Sequence, residues 1–544
     1  MTAQEIFEQI LKQRGITDVV GFTNPKYEDL ADPFLMADMD VAVERIVKAK
    51  SDGETLAVYG DYDIDGMTAT TILAEALGKM GFTVETFIPD RFVDGYGLSE
   101  RGIDELADKG VTLLMTVDTG SLSHEHVLYA QEKGVDVIVT DHHTVGVTLP
   151  EAVAVINPKR PDSKYPYKEL AGVGVAFTLI RALQTKLEGL ADGQEKWLLD
   201  LVALGTVCDV VPLTGENRIL VYYGLIVMSR TNRAGLHALA EVSDIQMKDI
   251  DTQVLGWRFG PRLNASGRLT HAKASMDLLA ATDREMARQL ASQLDVMNTE
   301  RRAIQADIYK QAAEQVEKFA DDHVLVLAGD GWNHGTVGIV AARITEEQAK
   351  PTFVLEIDGP VTKGSARSFG DFHLAEAIAA TKKHLEKGGG HGAAAGVTLD
   401  SEKLDDFRKA INKFYKDLKL KDQEKHLVVQ PDLTLSDFSG LDDELIELVN
   451  QLEPYGTDHE QPVFKAAPVT LVSWRAVGSD QTHAKATLQD ASGVERDSIG
   501  FGLAKKMPES GTVIEPVFTI EHNEWNGRKT IQHKLVDIIV PGEE

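Results

Sequence analysis

One cysteine in 544 residues rules out any internal disulfide. Cys208 lies in an apolar stretch, which agrees with a reducing compartment and a small buried side chain without a chemical role. No apolar run approaches the roughly 20 residues that a membrane-spanning helix needs. The start, MTAQEIFEQI, lacks the basic and apolar regions of a signal peptide. A cytoplasmic protein with no membrane partner is therefore expected. Low-complexity tracts and fixed-period repeats are also missing. Positive charge is scarce, with 56 Lys and Arg against 85 Asp and Glu and a net charge of −29. That balance excludes a broad basic phosphate-binding surface. It does not exclude an enzyme with a local field, because bound cations reverse the sign around a carboxylate site. Any nucleic-acid affinity should then be modest, salt-sensitive and concentrated in a few arginines.

What the chain does have lies at the ends of apolar runs: VYGDYDIDG (58–66), LLMTVDTG (113–120) and VIVTDHH (137–143). Apolar β-branched runs predict buried parallel strands, so each polar cluster falls at a strand's carboxyl end, where open α/β sheets place their sites. Asp63, Asp65, Asp118, Asp141, His142 and His143 would meet in one crevice. Carboxylates gathered this closely repel unless cations neutralise them, and oxygen plus imidazole donors suit Mn²⁺ or Mg²⁺ better than a thiolate-preferring ion. The pattern predicts a metal-dependent hydrolase.

The length exceeds one core, so two to four domains are expected. Residues 1–50 look like an amphipathic helical cap, broken at Asn24 and Pro25. Residues 51–215 alternate strand-like and helix-like segments, the signature of a doubly wound sheet. Residues 216–320 form a helical connector, and from Lys273 to Asp321 there is neither proline nor glycine, which predicts one or two long helices. A second α/β pattern fills 321–422, from HVLVLAG past the glycine-rich GGGHGAAAG. Residues 423–544 carry five short β-like segments and an Asn526–Gly527 turn, as in a small barrel of the OB type. The expected class is α/β: two α/β lobes joined by long helices, plus a C-terminal β-barrel.

In D-I-D, the two-residue spacing of Asp63 and Asp65 sends both carboxylates toward adjacent ions, and Gly66 allows a tight turn into a helix from Met67. The bland alternative is a helix N-cap or a solvated turn. Asp118 has enough lone-pair directions to bridge two ions. Of the adjacent His142 and His143, one can face a metal and the other a phosphate or leaving group; a surface turn is the plainer reading. Asp209 lies within LVALGTVCDVVPL (201–213), where an ionised carboxylate is costly without a cation or strong donors.

Taken in order, DYDIDG, PDR, VDTG, DHH, INPKRPD and GTVCDVVPL resemble the DHH phosphoesterase superfamily. GPRLNASGR, GWNHGTVGIVAARI, GSARS and GGGHGAAAG narrow the resemblance to its RecJ family of single-strand-specific 5′→3′ DNA exonucleases. The motifs run in family order from about residue 56 to 396, and the barrel fits the family's OB domain. The resemblance implies metal ligation by Asp63, Asp65, Asp118, His142 and Asp209, with His143 beside the scissile phosphate and Asp61 and Asp141 in support. It implies two Mn²⁺ or Mg²⁺ ions, in-line displacement and release of 5′-mononucleotides. Asn264 and Arg268 of NASGR, and Ser365 and Arg367 of GSARS, resemble the family's contacts to DNA and its 5′-phosphate, where guanidinium forks match phosphate oxygens. Successive N–H groups around Gly389 and Gly390, with His391, would line the same channel as an anion nest. His334 and Arg343 are further candidates, although a histidine at a helix start can simply cap it. Taken singly, each of these residues reads more plainly as a surface arginine, a solvated loop or a flexible linker. Implied partners are single-stranded DNA, a single-strand-binding protein and a RecQ-type helicase, in DNA repair and recombination. The long helices are expected to frame a channel that admits one strand and excludes a duplex.

Three departures accompany the resemblance. Many superfamily members carry a histidine four residues before the D-x-D pair, where this chain has Tyr59, so one ion should have fewer protein ligands. The usual Y-G-x-G-N pattern reads YGTDH here, with Gly456 and His459, at the expected barrel edge. The chain ends soon after the barrel, so the extra C-terminal domain of longer relatives is expected to be absent. Trp474, Phe501 and Trp525 either stack on bases or fill the barrel. Two other functions fit parts of the pattern. A phosphodiesterase of short oligonucleotides or cyclic dinucleotides would share the lobes but usually lacks a barrel. A catalytically inactive nucleic-acid-binding scaffold would have lost the metal aspartates, which are all present here.

Overall fold

In the computed structural model, which describes residues 1–420, 430–478, 480–525 and 528–542, the apolar β-branched runs form a parallel sheet. Its strands are β1 (Thr55–Gly60), β2 (Thr83–Phe87), β3 (Val111–Val117), β4 (Asp136–Thr140) and β5 (Ala154–Ile156), in the order β2-β1-β3-β4-β5. Every neighbouring pair is parallel. Helices Ile64–Lys79, Gly172–Gln184 and Leu199–Cys208 pack against one another beside it. A sheet covered on both faces needs continuous apolar strands, which is why the inner ones read as unbroken runs. The chain reverses its direction of travel between β1 and β3, and a crevice opens at such a point outside the carboxyl ends of the strands. The DYDIDG and VDTG segments follow these two strands.

The second lobe is a mixed sheet of β6 (Leu325–Asp330), β7 (Thr352–Asp358), β8 (Val361–Arg367), β9 (Lys387–Gly390) and β10 (Ala394–Asp400), ordered β6-β7-β8-β10-β9. Only β6–β7 is parallel, with helix His334–Gln348 making the crossover. The stretch without proline or glycine is a short helix, Lys273–Ala280, and a 35-residue one, Arg284–Lys318. The long helix extends about 52 Å at 1.5 Å per residue. Asp283 caps it by accepting from the Met286 N–H.

Two compact units emerge: Ala31–Val211 with Tyr223–His426, and Met1–Leu30 with Pro212–Tyr222 and Leu427–Glu544. The segment read as a single N-terminal cap is therefore divided. Helix Ala3–Gln13, closed by a Thr2–Glu5 capping box, buries Ile6, Phe7 and Ile10 in one core with Leu445, Phe464 and Phe518. Helix Met39–Asp52 instead packs on the parallel-sheet lobe. Amphipathicity shows that a helix has an apolar face, not which core receives it.

In the second unit, β13 (Val469–Val477), β14 (His483–Gln489), β15 (Glu495–Gly500), β16 (Val513–Trp525) and β17 (Arg528–Ile539) coincide with the five anticipated segments. Pairings run β13–β14–β15–β17–β16 and return from β16 to β13, closing a ring with a parallel β15–β17 pair. β11 (Leu433–Leu435) and β12 (Phe464–Ala466) extend it beyond β16. The Asn526–Gly527 turn and the Trp525 side chain lie outside what is described. Trp474 packs on the barrel core and donates its indole N–H to the Pro508 carbonyl at 2.8 Å, so it belongs to the wall. Phe501 is exposed. His459 of YGTDH is a buried wedge between Phe22 and Tyr455. Among the described residues no helix is long and apolar enough to cross a membrane.

Candidate active site

The D-x-D aspartates combine two functions that the sequence set against each other. Asp63 is the N-cap of helix Ile64–Lys79, accepting from the Gly66 N–H at 3.0 Å, and it also belongs to the acidic cluster. Asp65, in the first helical turn, is buried and accepts from Gly172 N–H at 2.6 Å and Val173 N–H at 2.9 Å, the start of another helix. The helix starts at Ile64, before the expected Met67, and Gly66 in its first turn is needed for a different reason from the one expected. It is not in a left-handed conformation, but a Cβ there would sit 2.5 Å from the Asp61 backbone. Gly172 is likewise held by close approach, since its Cβ would meet Asp118 Cβ at 2.7 Å. Asp118 follows β3 with φ +60, a left-handed conformation that costs a non-glycine residue free energy. Asp209 caps the C-terminus of helix Leu199–Cys208, where the helix dipole disfavours an anion.

Three overlapping groups have donor atoms within 4.8 Å of one another: Asp61, Asp63 and Asp118; Asp118, His142 and His143; Asp65, His142 and Asp209. Asp118 and His142 are each shared by two. Asp61, read from the resemblance as a supporting residue, lies with Asp63 and Asp118 in one of the groups that could hold an ion. His142 Nε2 lies 3.0 Å from Asp118 Oδ1 and 3.6 Å from Asp209 Oδ2. Both ring nitrogens of His142, with Asp61 Oδ1, Asp118 Oδ1 and Asp209 Oδ2, are buried without a hydrogen-bond partner. Burial and then the neighbouring carboxylates push Asp61 and Asp118 well above the usual range, Asp65 to about 7 and Asp209 to about 10. Burial, then the charge of His143, pulls His142 down to about 3, leaving a neutral imidazole with a free lone pair. Hard oxygen donors plus one neutral imidazole, all unpartnered, fit divalent Mn²⁺ or Mg²⁺.

Asp141 differs from Asp61, Asp118 and Asp209 because its hydrogen bonds are satisfied. It accepts from the Ser121, His142 and His143 N–H groups at 2.8, 2.8 and 3.1 Å and faces His143 Nδ1 at 2.8 Å. Burial would raise it, but the His143 hydrogen bond and charge prevail and hold it low. Burial would lower His143, but the same bond together with the charges of Asp141, Asp63 and Asp61 outweighs it and raises its pKa. Tyr59, the position of the missing histidine, points into the core and donates its hydroxyl to the Gly97 carbonyl at 3.1 Å. It contributes nothing to the cluster.

A cleft of about 750 Å³ runs from His143 and Asp141 to the second lobe, where His334, Ser365, Arg367, Gly389, Gly390 and His391 line it. Ser365 and Arg367 alternate along β8 and so share a face. Gly338 lets helix His334–Gln348 approach, because a Cβ there would stand 3.2 Å from Ser365 Oγ. GGGHGAAAG is a hairpin of edge strand β9 with β10, not a run of convergent N–H groups. Alternate glycine N–H groups pair with β10, so the expected nest does not form. Arg268 sits behind the wall, donating to the Gly335 carbonyl at 3.1 Å and feeling the charges of Arg91 and Arg367. Asn264, one turn earlier on the same helix, does not line the cleft. Arg343 does not reach it either: it pairs with Glu347 at 2.8 Å and stacks on Tyr309 at 3.6 Å.

Comparison with known proteins agrees with this layout. The family model "DHH family, N-terminal domain" matches residues 55–206, "DHHA1 domain" 321–417 and "RecJ OB domain" 432–537. The single-stranded-DNA-specific exonuclease RecJ of Haemophilus influenzae is 34% identical, over 95% of this chain and 93% of its own length. This chain belongs to the RecJ family. Its Bacillus subtilis relative of the same name is 38% identical over 95% of this chain, which spans 65% of that longer protein. The crystal structure of Thermus thermophilus RecJ with Mn²⁺ superposes with a TM-score of 0.84 at 27% identity, covering 99% of this chain and 76% of that one.

Within this RecJ-family site, the sequence reasoning passed over several contacts. Arg91, from the quoted PDR motif, lines the cleft with its guanidinium 4.2 Å above the Tyr62 ring. Tyr96 places its hydroxyl 3.3 Å from His143 Nε2. Asn157 of INPKRPD donates to Ser121 Oγ and to the His143 carbonyl, both at 2.9 Å, tying the DHH turn to β5. Two of the three lay in motifs already singled out, which was the available signal.

Proposed function

We propose that this chain is a Mn²⁺- or Mg²⁺-dependent exonuclease that degrades single-stranded DNA from the 5′ end to 5′-mononucleotides in DNA repair and recombination. The observation that carries this reading is a cleft that runs from His143, whose Nδ1 lies 3.8 Å from the unpartnered Asp118 Oδ1, to a wall with Ser365 and Arg367. Asp63, Asp65, Asp118, His142 and Asp209, with Asp61, hold two ions. Such ions polarise the phosphodiester and lower the pKa of the attacking water. Asp141 orients His143 through Nδ1, so that Nε2 presents a proton to the phosphate or leaving group. Arg367, Ser365 and Arg268 recognise the terminal phosphate, with His391, Gly389 and Gly390 along the channel and His334 at its helix start.

In this reading residues 51–215 carry the chemistry, 216–320 connect, 321–422 bind the strand end and 423–544 hold the strand, with exposed Phe501 as a stacking surface. Residues 1–50 support these domains. A single-strand-binding protein and a RecQ-type helicase supply the substrate in the cytoplasm. The test uses strands labelled at the 3′ end, with and without a 5′ phosphate, beside a blunt duplex, with Mn²⁺ or EDTA. Shortening of single strands alone from the 5′ end, lost with EDTA, is expected. Hydrolysis of dinucleotides but not long strands would instead indicate a small-substrate phosphodiesterase, and binding without hydrolysis a scaffold.

A further inference from the structure

Partly buried arginines in this protein are usually paired: Arg45 with Glu54, Arg160 with Asp38, Arg233 with Asp200 and Arg262 with Asp295. Arg301 is more buried than most, at 9% exposure in the middle of helix Arg284–Lys318, and among the described residues no carboxylate pairs with it. Its Nη2 donates to Asn298 Oδ1 at 2.9 Å and its Nη1 to Gln305 Oε1 at 3.2 Å, both neutral, while Nε is buried without a partner. A buried cation without a counter-ion destabilises a fold.

Its position explains why the charge is there. Helix Gly260–Leu269 packs along the long helix, and the Arg262–Asp295 bridge at 2.9 Å links residues 33 apart in sequence. Arg268 and Arg301 repeat that separation further along the same packed pair of helices. Arg268 is pulled down to about 9 by burial first, then by the charges of Arg91, Arg301 and Arg367. Four arginines therefore concentrate positive charge, Arg91 and Arg367 in the cleft wall and Arg268 and Arg301 behind it, and none of them has a carboxylate partner among the described residues.

We infer that Arg301 is a positioning residue for 5′-phosphorylated ends, an uncompensated charge behind Arg268 whose field favours a terminal phosphate over a terminal hydroxyl. This rests on the exonuclease reading. A terminal phosphate carries about −1.5 to −2 charge near neutrality, so it gains from a cation that it does not touch. A hydroxyl end gains nothing comparable.

The experiment compares Arg301→Met, Arg301→Lys and Arg367→Gln by KM and kcat on strands with 5′ phosphate or 5′ hydroxyl, and by thermal melting without substrate. Arg301→Met should raise KM for phosphorylated ends about tenfold, leave kcat and the hydroxyl-end KM unchanged, and raise the melting temperature. Arg301→Lys, which keeps the charge, should retain the preference. Equal effects on both ends, or an Arg301→Met protein that melts lower or fails to fold, would overturn the inference and indicate a structural role. A selective effect for Arg367→Gln without one for Arg301→Met would sink the Arg301 inference alone. No selectivity in either would sink the terminal-phosphate reading itself.

Discussion

The carboxylate cluster and the arginine cluster are opposite in sign and alike in being unbalanced. At one, Asp61, Asp65 and Asp118 are buried against each other and pushed upward in pKa by that burial. At the other, Arg268, Arg301 and Arg367 are all drawn downward, burial again leading. Several other buried charges are neutralised locally, as where Asp200 meets Arg233 and Thr231. Folding alone accounts for the paired sites; on the proposed function, the two clusters are accounted for by what they would bind. They differ in how they are built. The carboxylates hang from strand ends and helix caps of one lobe, whereas the arginines come from a loop, two helices and β8 of the other lobe. The acidic wall is thus a property of one lobe, and the basic wall a property of how the lobes of this unit meet.

The sharpest way to break the symmetry is Asp118→Asn. Because Asp118 is shared by two donor groups, kcat should fall by a thousandfold or more, on the order expected when metal-assisted chemistry is lost, while binding to single strands persists. The same change removes a buried charge, so the protein in EDTA should melt higher than the wild type. Cleavage at an unaltered rate would contradict the assignment.

Metal removal comes next. At 100-fold excess over Kd, Mn²⁺ should stabilise the cluster-bearing unit by about 2.7 kcal/mol over the EDTA-treated protein, read as a shift in its thermal transition. Asp118→Asn should lose most of that shift, while Arg301→Met should keep it. If both variants lost it equally, the two walls would not be independent.

Arg367→Gln tests the other wall. Loss of a charge-assisted contact should raise KM for phosphorylated ends by roughly ten- to a hundredfold, with kcat and the Mn²⁺ shift intact. An equal rise for hydroxyl-ended strands would remove the terminal phosphate from the argument.

The two walls also differed in how legible they were from sequence. Asp63, Asp65, Asp118 and His142 follow apolar strands, so their convergence follows from strand polarity, whereas Asp209 ends an apolar helix and was marked only by its cost of burial; the five barrel strands were visible as short β-like segments. Arg301 was not visible, because nothing in a long polar helix marks which arginine faces inward. Arg343 misled for the same reason, since Glu347 four residues on already claims it. The glycine-rich segment was read as a nest because composition does not distinguish a glycine turn from an edge strand. The Ala3–Gln13 helix had a clear apolar face, but its partner core lies more than four hundred residues away in sequence.

The smallest expected effect separates the clusters by titration. Asp65 is raised from 3.8 to about 7 by burial first and then by the charge of Asp63, and Asp209 to about 10 by burial and its carboxylate neighbours. A folded-state pKa above the unfolded value means stability that is complete below the unfolded pKa and is lost as pH rises through the folded one. In EDTA, therefore, stability should fall by roughly 1 kcal/mol between pH 6 and 8 through Asp65, and further over the same interval through Asp209, which stays protonated in the fold while it is ionised in the unfolded chain. Mn²⁺ takes the place of those protons, so the metal-induced shift should grow over the same interval. Arg268, at about 9, still carries its charge there, so the preference for phosphorylated ends should stay level between pH 7 and 8. Melting curves in EDTA that are flat or rise with pH would show that the carboxylates are already ionised without metal, and the cluster's repulsion would then have to be relieved by the protein itself.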